Sequence, residues 1–536
     1  MKQLPFLGAS LTLLGGAISC QAQPVSTAIP NYFSRILTPP APATPRINGP
    51  KIYGQRPGRP FLYTIPATGL RPMTFGATGL PRGLKLDPKT GQITGTAPAA
   101  GEYQVRFTAR NSLGTARKNF KVVIGDKILL TPPLGWNSWD SWAGDVDAEK
   151  VMRSAKVIVN SGLINHGWSY INIDDTWQGQ RTSPTKSLQA NQKFPDMKGL
   201  TDQLHAMGLK AGIYSSPWIT TYASYAGGSS ENPEGTWTRE MRGDAFHRIG
   251  PYRFDEVDAK QWADWGFDYL KYDWNPNDVV STTKMQNALQ ASGRDIALSL
   301  SNSAPFNQAE AWTRLAQAWR TTGDIGDYWG RPRTSWQQSM AQIAFNQDRW
   351  QPFSGPGHWN DLDMLVVGTV SLAQPMHYTR LTPDEQYTHI TMWSLMSSPL
   401  LIGCVMEKLD PFTLSLLTND EVLAVNQDTL GKGVVKVSGP RFEVPPVNSP
   451  PIENPGGNAM VYSKQLDDGT MAIGFFNVGP TEMNISVNFA DLKLTGPQKV
   501  RDLWRQKDLG NFRDSFSAPV ASHGTMLIKI GTPKPE

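Results

Sequence analysis

Residues 255–274, DEVDAKQWADWGFDYLKYDW, join a helical pattern directly to a strand that ends at an acid. The same alternation of helical and strand patterns continues on both sides of this stretch. Upstream it includes WSYINIDD, DMKGLTDQLHAMG and LKAGIYSS, and downstream DIALSLSNS, QAEAWTRLAQ and HWNDLDML. About eight strand–helix units fit between residues 129 and 435, which is the pattern and size of a (β/α)8 TIM barrel in the α/β class. A doubly wound open sheet is the main alternative, but no glycine-rich phosphate loop follows the first strand.

Two regions of short strands flank the barrel pattern. Residues 46–126 alternate apolar and polar side chains in PFLYTIPA, GEYQVRFTARNS and RKNFKVVIG, which predicts a small antiparallel β-sandwich. Its segment GLKLDPKTGQITGTAP resembles a family of Ig-like domains in bacterial secreted proteins, where a spacer or a carbohydrate-binding role is expected. Strand patterns return in residues 436–533, for example AMVYSKQL and TMAIGFFNV, and predict a C-terminal antiparallel β-sandwich.

The N-terminus has the pattern of an export signal. Residues 1–22 carry Lys2 and then the apolar run LPFLGASLTLLGGAI, which is too short to span a bilayer comfortably. Lipidation of Cys20 is a second option, although the preceding Ala-Ile-Ser is a poor form of that signal. Residues 23–45, rich in Pro, Ala and Thr, predict a linker. We therefore expect an exported protein, periplasmic or secreted, without a membrane span.

Composition excludes some partners and leaves others open. The net charge of +5 is small for 536 residues, and no dense Lys/Arg run is present, so nucleic acid is not expected. Cys404 alone remains after the signal, which precludes an internal disulfide, and its apolar surroundings predict a buried, inert thiol. The 18 tryptophans can fill a core, or their flat faces can stack on sugars. The oligomeric state stays open.

Acidic residues follow several of the predicted barrel strands. Strand C-terminal ends line the active face of such a barrel, so these side chains should converge on one mouth. They are Asp174, Asp175, Asp273, Asp324, Asp361 and Asp363. Converging carboxylates suit a ligand with hydroxyls to donate, or a metal. No His pair or calcium-loop spacing is present, and neighbouring Tyr and Trp favour a sugar ring, so neither a metal nor another cofactor is predicted.

The strand FDYLKYDW also predicts a nucleophile. Lys271 and Asp273 are two residues apart on a strand and therefore point the same way. A nearby ammonium should lower the pKa of Asp273 and keep it ionised. Asp324 is the candidate proton donor. A retaining glycosidase needs two such carboxyls roughly 5–5.5 Å apart.

Seven motifs, in order along residues 129–435, resemble glycoside hydrolase family 27. They are LTPPLGWNSWDSW, INIDDTWQ, KFPDMKGLTDQLHAMGLKAGIYS, WGFDYLKYDW, WRTTGDI, WNDLDMLVVG and EVLAVNQDTLG. The family comprises retaining α-galactosidases and α-N-acetylgalactosaminidases. The resemblance implies that Asp273 is the nucleophile and Asp324 the acid/base. It implies that Asp174 and Asp175 hold the 4- and 6-hydroxyls of galactose.

The resemblance also implies further substrate-binding residues. Trp139 matches the ring-stacking residue, although a core aromatic is the alternative. Tyr214 matches the pocket wall, and Met364 a neighbour that lines the pocket. The residues implied to contact the hydroxyls near C2 and C3 are Lys271, Arg320 and Asp363. Arg320 could instead be a simple ion-pair partner of Asp324, four residues on.

Departures from the family pattern concern the wall near C2. Trp274-Asn275 replace a usual Asn-Cys, SSPW follows GIY, and Leu362 stands where Pro is usual. Ser301 and Ala304 align with the small residues that mark N-acetylgalactosaminidases, while Trp218 or Trp274 could fill the same space. The leading expectation is a retaining exo-α-galactosidase acting on terminal α-galactosides. The alternatives are an α-N-acetylgalactosaminidase, a β-L-arabinopyranosidase, or a carbohydrate-binding protein that has lost catalysis.

Overall fold

A computed structural model describes residues 28–330, 336–443 and 457–534. The predicted export signal with Cys20 lies outside the described residues. Within these ranges we find no helix of the length and apolar character needed to traverse a lipid bilayer.

The central domain is a closed barrel of eight parallel strands. They are β1 Leu134–Asn137, β2 Tyr170–Asn172, β3 Lys210–Ser215, β4 Tyr269–Asp273, β5 Ala297–Ser301, β6 Ala318–Arg320, β7 Trp359–Asp361 and β8 Leu400–Ile402. From β1 to β7 each strand pairs with the next, and β1 also pairs with β8. A parallel bridge between Leu365, just after β7, and Ile402 of β8 closes the ring. The barrel prediction is confirmed, and an open doubly wound sheet is excluded.

Helices connect the strands and begin at residues suited to that position. Asp147, Asp196 and Asp278 each accept a backbone N–H of the first helical turn, which satisfies a donor that the helix itself cannot. At Gly266 the backbone takes φ +100°, which ends one helix and turns the chain into β4. The α-helices of the described residues are Trp139–Trp142, Ala148–Asn160, Met197–Ala206, Asp255–Trp265, Val279–Ala291, Ala309–Leu315, Met340–Ala344, Pro383–Leu395, Pro411–Leu417 and Asp420–Asn426.

Most tryptophans lie in the core. Eleven of the 18 are fully buried, among them Trp136, Trp262 and Trp319, so their main role is packing between strands and helices. Cys404 is buried and unpaired, as predicted, and burial raises the pKa of its thiol to about 12.

The N-terminal sandwich has two sheets. The larger contains Ile52–Gln55, Gly114–Ile124, Gly101–Asn111 and Thr74–Thr78, and the smaller contains Pro60–Thr64, Gln92–Thr96 and Leu84–Leu86. A further short pair joins Arg46–Ile47 and Ala67–Thr68. The prediction of a wholly antiparallel sandwich is wrong at one edge, because Ile52–Gln55 runs parallel to Gly114–Ile124.

This sandwich, which we call the Ig-like module, packs on the N-terminal ends of the barrel strands. Arg56 forms an ion pair with Asp295 at 2.9 Å. The Lys210 ammonium lies 4.5 Å from the ring centroid of Tyr53 and 5.3 Å from that of Tyr170, where a cation is attracted to the ring faces. The module is therefore docked against the barrel.

The predicted linker is also held where it is described. Tyr387 on helix Pro383–Leu395 donates to the Arg35 carbonyl and accepts from the Leu37 N–H, at 2.8 and 2.9 Å. The Arg35 guanidinium pairs with Asp384. These contacts attach residues 35–37 of the predicted linker to the barrel surface.

The C-terminal domain is an antiparallel sandwich, as predicted. Its main sheet contains Val435–Ser438, Ala459–Gln465, Met471–Asn477, Thr525–Ile530, Gln498–Asp502 and Lys507–Phe512. Met483–Asn488 and Ser515–Val520 form the second sheet. Trp504 and His523 of this domain contact barrel helix Pro383–Leu395 through Thr391 and Glu385.

Candidate active site

A cavity of about 640 Å³ opens at the C-terminal ends of the barrel strands. Side chains from seven of the strands, or from the segments that directly continue them, reach it, as expected for the active face of such a barrel. Its lining includes Trp139, Asp140, Asp174, Asp175, Tyr214, Tyr222, Lys271, Asp273, Asn302, Arg320, Asp324, Trp336, Asp363 and Met364. The residues predicted for catalysis and sugar binding therefore line a single cavity, except Ser301, Ala304 and Asp361, which lie outside its lining.

Asp273 is fixed from two sides. It is the last residue of β4, and its side chain is only 6% exposed. The Tyr214 hydroxyl donates to its Oδ2 at 2.9 Å, and the Asn302 amide donates to its Oδ1 at 2.9 Å. Two donors on one carboxylate hold it in a single orientation, which a nucleophile needs.

The charge on Asp273 departs from the prediction. Burial raises the pKa of Asp273 to about 7, and the charges of Asp324 and Asp174 add to the rise against the lowering effect of Lys271. The Lys271 ammonium donates to Asp174 at 2.8 Å and so lies closest to that carboxylate. The expectation that Lys271 brings the pKa of Asp273 below its usual range is wrong, because desolvation outweighs one ammonium.

Arg320 links two further carboxylates of the cavity, those of Asp363 and Asp324. Its guanidinium lies 2.8 Å from Asp363 Oδ2 and 3.2 Å from Asp324 Oδ1. It is thus more than a partner of Asp324. Asp363 also accepts the Ile325 and Met364 N–H groups, each at 2.8 Å, although its own backbone has φ +79°. Such a left-handed non-glycine residue is strained, and strain of this kind is concentrated at functional sites.

Asp174 and Asp175 lie one residue beyond the end of β2 and are both buried. Asp175 accepts the N–H groups of Thr176 and Ala223, at 2.7 and 2.9 Å. Burial nevertheless raises the pKa of Asp175 to about 6. The pair thus presents acceptor oxygens to the cavity from a rigid backbone.

Most of the residues predicted to form the pocket wall near C2 of the sugar do not line the cavity. Ser301 and Ala304 are buried, and the residues that line the cavity within the described ranges include Asn302 and Ser303 in their place. The reason is a turn, since Asn302 has φ +73° and carries the chain out of β5 toward the cavity. Trp218 and Trp274 also lie outside that lining.

Sequence reasoning missed several lining residues, among them Asn302, Tyr222, Asp140 and Trp336. Asn302, which directly follows β5, could have been found by the rule that gave Asp273, whereas Tyr222 belongs to a long loop without such a signal. Asp140 follows Trp139 in the quoted motif. It is buried, its Oδ2 has no hydrogen-bond partner, and burial with the charge of Asp363 raises its pKa well above the usual range. Burial at the cavity wall therefore favours the neutral form of the Asp140 carboxyl.

No group of three or more His, Cys, Asp or Glu side chains in residues 28–330, 336–443 and 457–534 is arranged to hold a metal ion. The chemistry that this arrangement can perform is that of its own carboxyls. Asp273 and Asp324 face one cavity, one buried and held by two donors, the other with its side chain 43% exposed.

Comparison with known families accounts for each domain. Residues 131–235 and 245–428 match the family Alpha galactosidase A, and residues 456–530 match the alpha galactosidase C-terminal beta sandwich domain. Residues 44–125 match an Ig domain family.

Curated relatives cover the same part of the chain. Alpha-galactosidase 2 of Arabidopsis thaliana is 33% identical over 436 residues, which is 80% of this chain and 96% of the relative. Alpha-galactosidase A of Cellvibrio japonicus is 31% identical over 76% of this chain and 90% of its own.

Solved structures agree with the fold. A Bacteroides fragilis protein proposed to be an α-galactosidase superposes with a TM-score of 0.78 at 31% identity, covering 92% of this chain and 98% of its own. α-Galactosidase I of Mortierella vinacea gives 0.62 at 28% identity, covering 76% and 98%. A β-L-arabinopyranosidase of Geobacillus stearothermophilus gives 0.61 at 25% identity, covering 75% and 96%. The chain therefore belongs to the α-galactosidase family, glycoside hydrolase family 27.

Proposed function

We propose that this protein is a retaining exo-α-galactosidase that removes terminal α-linked galactose. The observation that carries the proposal is the placement of Asp273 and Asp324 in one cavity with the acceptor pair Asp174 and Asp175. The curated α-galactosidases named above support it. Family membership makes a non-catalytic binding protein the weaker alternative, since both carboxyls are present.

The reaction follows from the two carboxyls. In the first step Asp273 attacks the anomeric carbon, the bond from that carbon to the leaving oxygen breaks, and the Asp324 carboxyl gives its proton to that oxygen. The product is a glycosyl ester of Asp273. In the second step Asp324 takes a proton from water, whose oxygen attacks the anomeric carbon and releases Asp273. Two displacements return the original α-configuration.

Selection of galactose rests on Asp174 and Asp175. An axial 4-hydroxyl that points at two buried acceptors is stabilised there, while an equatorial hydroxyl leaves those acceptors unpaired, which is costly. A β-L-arabinopyranoside has the same ring hydroxyls without C6, and the similarity to the Geobacillus enzyme makes it the second candidate substrate. The small residues that suggested N-acetylgalactosamine are buried outside the cavity lining.

A panel of nitrophenyl glycosides tests the proposal. We expect the highest kcat/KM on the α-galactoside, ahead of the β-L-arabinopyranoside and the α-N-acetylgalactosaminide. NMR of the first sugar released should show the α-anomer. A β-anomer formed first, or hydrolysis that persists unchanged in Asp273→Ala, would refute the mechanism.

Export completes the proposal. The short apolar run after Lys2 supports it, and fractionation of cells that express the full chain tests it. We expect activity outside the cytoplasm and a mature N-terminus near residue 23. Activity confined to the cytoplasmic fraction, with Met1 retained, would contradict export.

A further inference from the structure

Two exposed aromatic side chains stand at the mouth of the active-site cavity. Tyr222 is 38% and Trp336 is 55% exposed, and both line the cavity. Trp336 contrasts with the eleven fully buried tryptophans. Contact between a large aromatic ring and water is unfavourable, and a ligand that covers the ring removes that contact. An exposed ring at a pocket mouth therefore indicates a surface that binds a ligand.

Tyr222 is held rigidly by its own loop. Its ring contacts Trp218 edge-to-face at 5.0 Å between centroids and His247 at 5.4 Å, and those two rings stack at 4.9 Å. The next residue, Ala223, donates its N–H to Asp175 at 2.9 Å. A ring fixed in this way loses little conformational entropy when a ligand packs on it.

Both rings lie at the reacting end of the cavity. The charges of Asp273 and Asp324 act on the Tyr222 hydroxyl, which also interacts with the Asn302 amide. Trp336 directly precedes Gln337, and Gln337 pairs with Asp324 across two short parallel strands, Asp324–Gly326 and Gln337–Ser339. The two rings thus flank the residues that act on the glycosidic bond.

The leaving group must occupy this side of the cavity. Asp324 protonates the leaving oxygen, and its side chain is 43% exposed whereas Asp273 is buried. A galactose held by Asp174 and Asp175 therefore directs its aglycone past Asp324 toward solvent. The 640 Å³ volume falls in the range of pockets that hold drug-sized ligands, which leaves room beyond one monosaccharide.

We propose that Tyr222 and Trp336 form an aglycone subsite that packs against the apolar face of a pyranose leaving group. A substrate whose leaving group is a sugar ring should then be preferred over galactosides of small alcohols. This subsite rests on the proposed function, since it places a leaving group relative to Asp324.

Two substrates separate the subsite from the catalytic machinery. α-Galactosyl fluoride has a leaving group too small to reach the rings, and an α-1,6-linked galactosyl-glucose disaccharide has a glucose that can cover them. For a double-displacement enzyme, kcat/KM reports the step in which the leaving group departs. We expect Tyr222→Ala and Trp336→Ala each to lower kcat/KM for the disaccharide about tenfold, the size of a good aromatic contact, and to change that for the fluoride less than twofold.

Matched variants complete the experiment. Tyr222→Phe keeps the ring and should retain the disaccharide preference. Tyr252→Ala removes a ring that is 42% exposed outside the cavity lining and should change neither substrate. An equal fall for fluoride and disaccharide in the two alanine variants, or no fall for either, would overturn the subsite while leaving the proposed function intact. A wild type inert to both substrates would overturn the function itself.

Discussion

Lys271 donates a hydrogen bond to Asp174 at 2.8 Å in the mouth of the barrel, where the Asp174 side chain is buried and the Lys271 side chain is 16% exposed. The ion pair joins β4 to the segment after β2. Removal of one member leaves the other charge buried and unpaired, which costs about 3–5 kcal/mol. We expect Lys271→Met to lower the free energy of unfolding, measured in urea at pH 7, by about this amount.

Lys198→Met is the matched control for that change. Its partner Asp202 lies four residues on along a helix, and both side chains of that pair are more than half exposed. Exposed pairs of this kind contribute about 0.3–0.5 kcal/mol. Equal losses in the two variants would show that the Lys271 pair has no special electrostatic role.

Asp324→Asn should separate substrates by their need for a proton. Loss of a general acid costs about 10²–10⁴-fold, so we expect kcat/KM for an unactivated disaccharide to fall by about 10³-fold. α-Galactosyl fluoride needs little protonation on departure and should be hydrolysed far closer to the wild-type rate in the bond-breaking step. A uniform loss on both substrates would contradict the assignment of Asp324 as the acid.

The same variant should move the pH dependence. Asp273 attacks only as a carboxylate, and its pKa of about 7 predicts that wild-type kcat/KM for the fluoride falls as the pH drops through about 7. Because the Asp324 charge contributes to that raised pKa, Asp324→Asn should shift this acid limb to lower pH. An unshifted limb would mean that the two carboxyls do not interact.

Asp273→Asn should increase stability while it abolishes activity. The folded pKa of about 7 lies above that of an unfolded aspartate, about 3.9, so between these values the native state binds the extra proton. The contribution of Asp273 to the stability of the wild type therefore decreases as the pH rises from about 4 to 7. We expect Tm of Asp273→Asn to exceed that of wild type at pH 7.5 and to approach it at pH 4.5.

The exposed variant Asp202→Asn serves as the control for that comparison. Asp202 lies on the surface of a helix, distant in sequence from Asp273 and Asp324, and its side chain is 56% exposed. A Tm difference for Asp273→Asn that is the same at both pH values would contradict the raised pKa.

Asp140→Asn should have only a small effect on activity. Burial and the charge of Asp363 raise the pKa of this carboxyl and so favour its neutral form, and an amide has nearly the shape of a neutral acid. We expect kcat/KM for the nitrophenyl α-galactoside to stay within about threefold of wild type, because a matched neutral group leaves the site's charge balance unchanged. Asp140→Ala, which removes the group, is the comparison, and a loss in the asparagine variant as large as in alanine would show that Asp140 acts as an anion.

Much of this site was predictable because it depends on the periodicity of the sequence and on the position of acidic residues at strand ends. Alternation of strand and helix fixes a barrel, and acids such as Asp175 and Asp273 at strand ends must then meet at its mouth. The pKa of Asp273 was not predictable, since burial and the direction of Lys271 compete over distances that only the folded chain defines. Asn302 replaced Ser301 at the cavity because one left-handed residue changes which side chain emerges. Tyr222 reaches the mouth through contacts within its loop, and no local pattern encodes those.

Because the Ig-like module docks on the N-terminal ends of the barrel strands, it lies on the face of the barrel opposite the active-site cavity. The module's ion pair between Arg56 and Asp295 lies at the pole opposite Asp273. A bulky glycan can therefore approach the catalytic carboxyls without meeting the module. A surface that held the protein by that module would leave the opening directed outward, toward incoming chains.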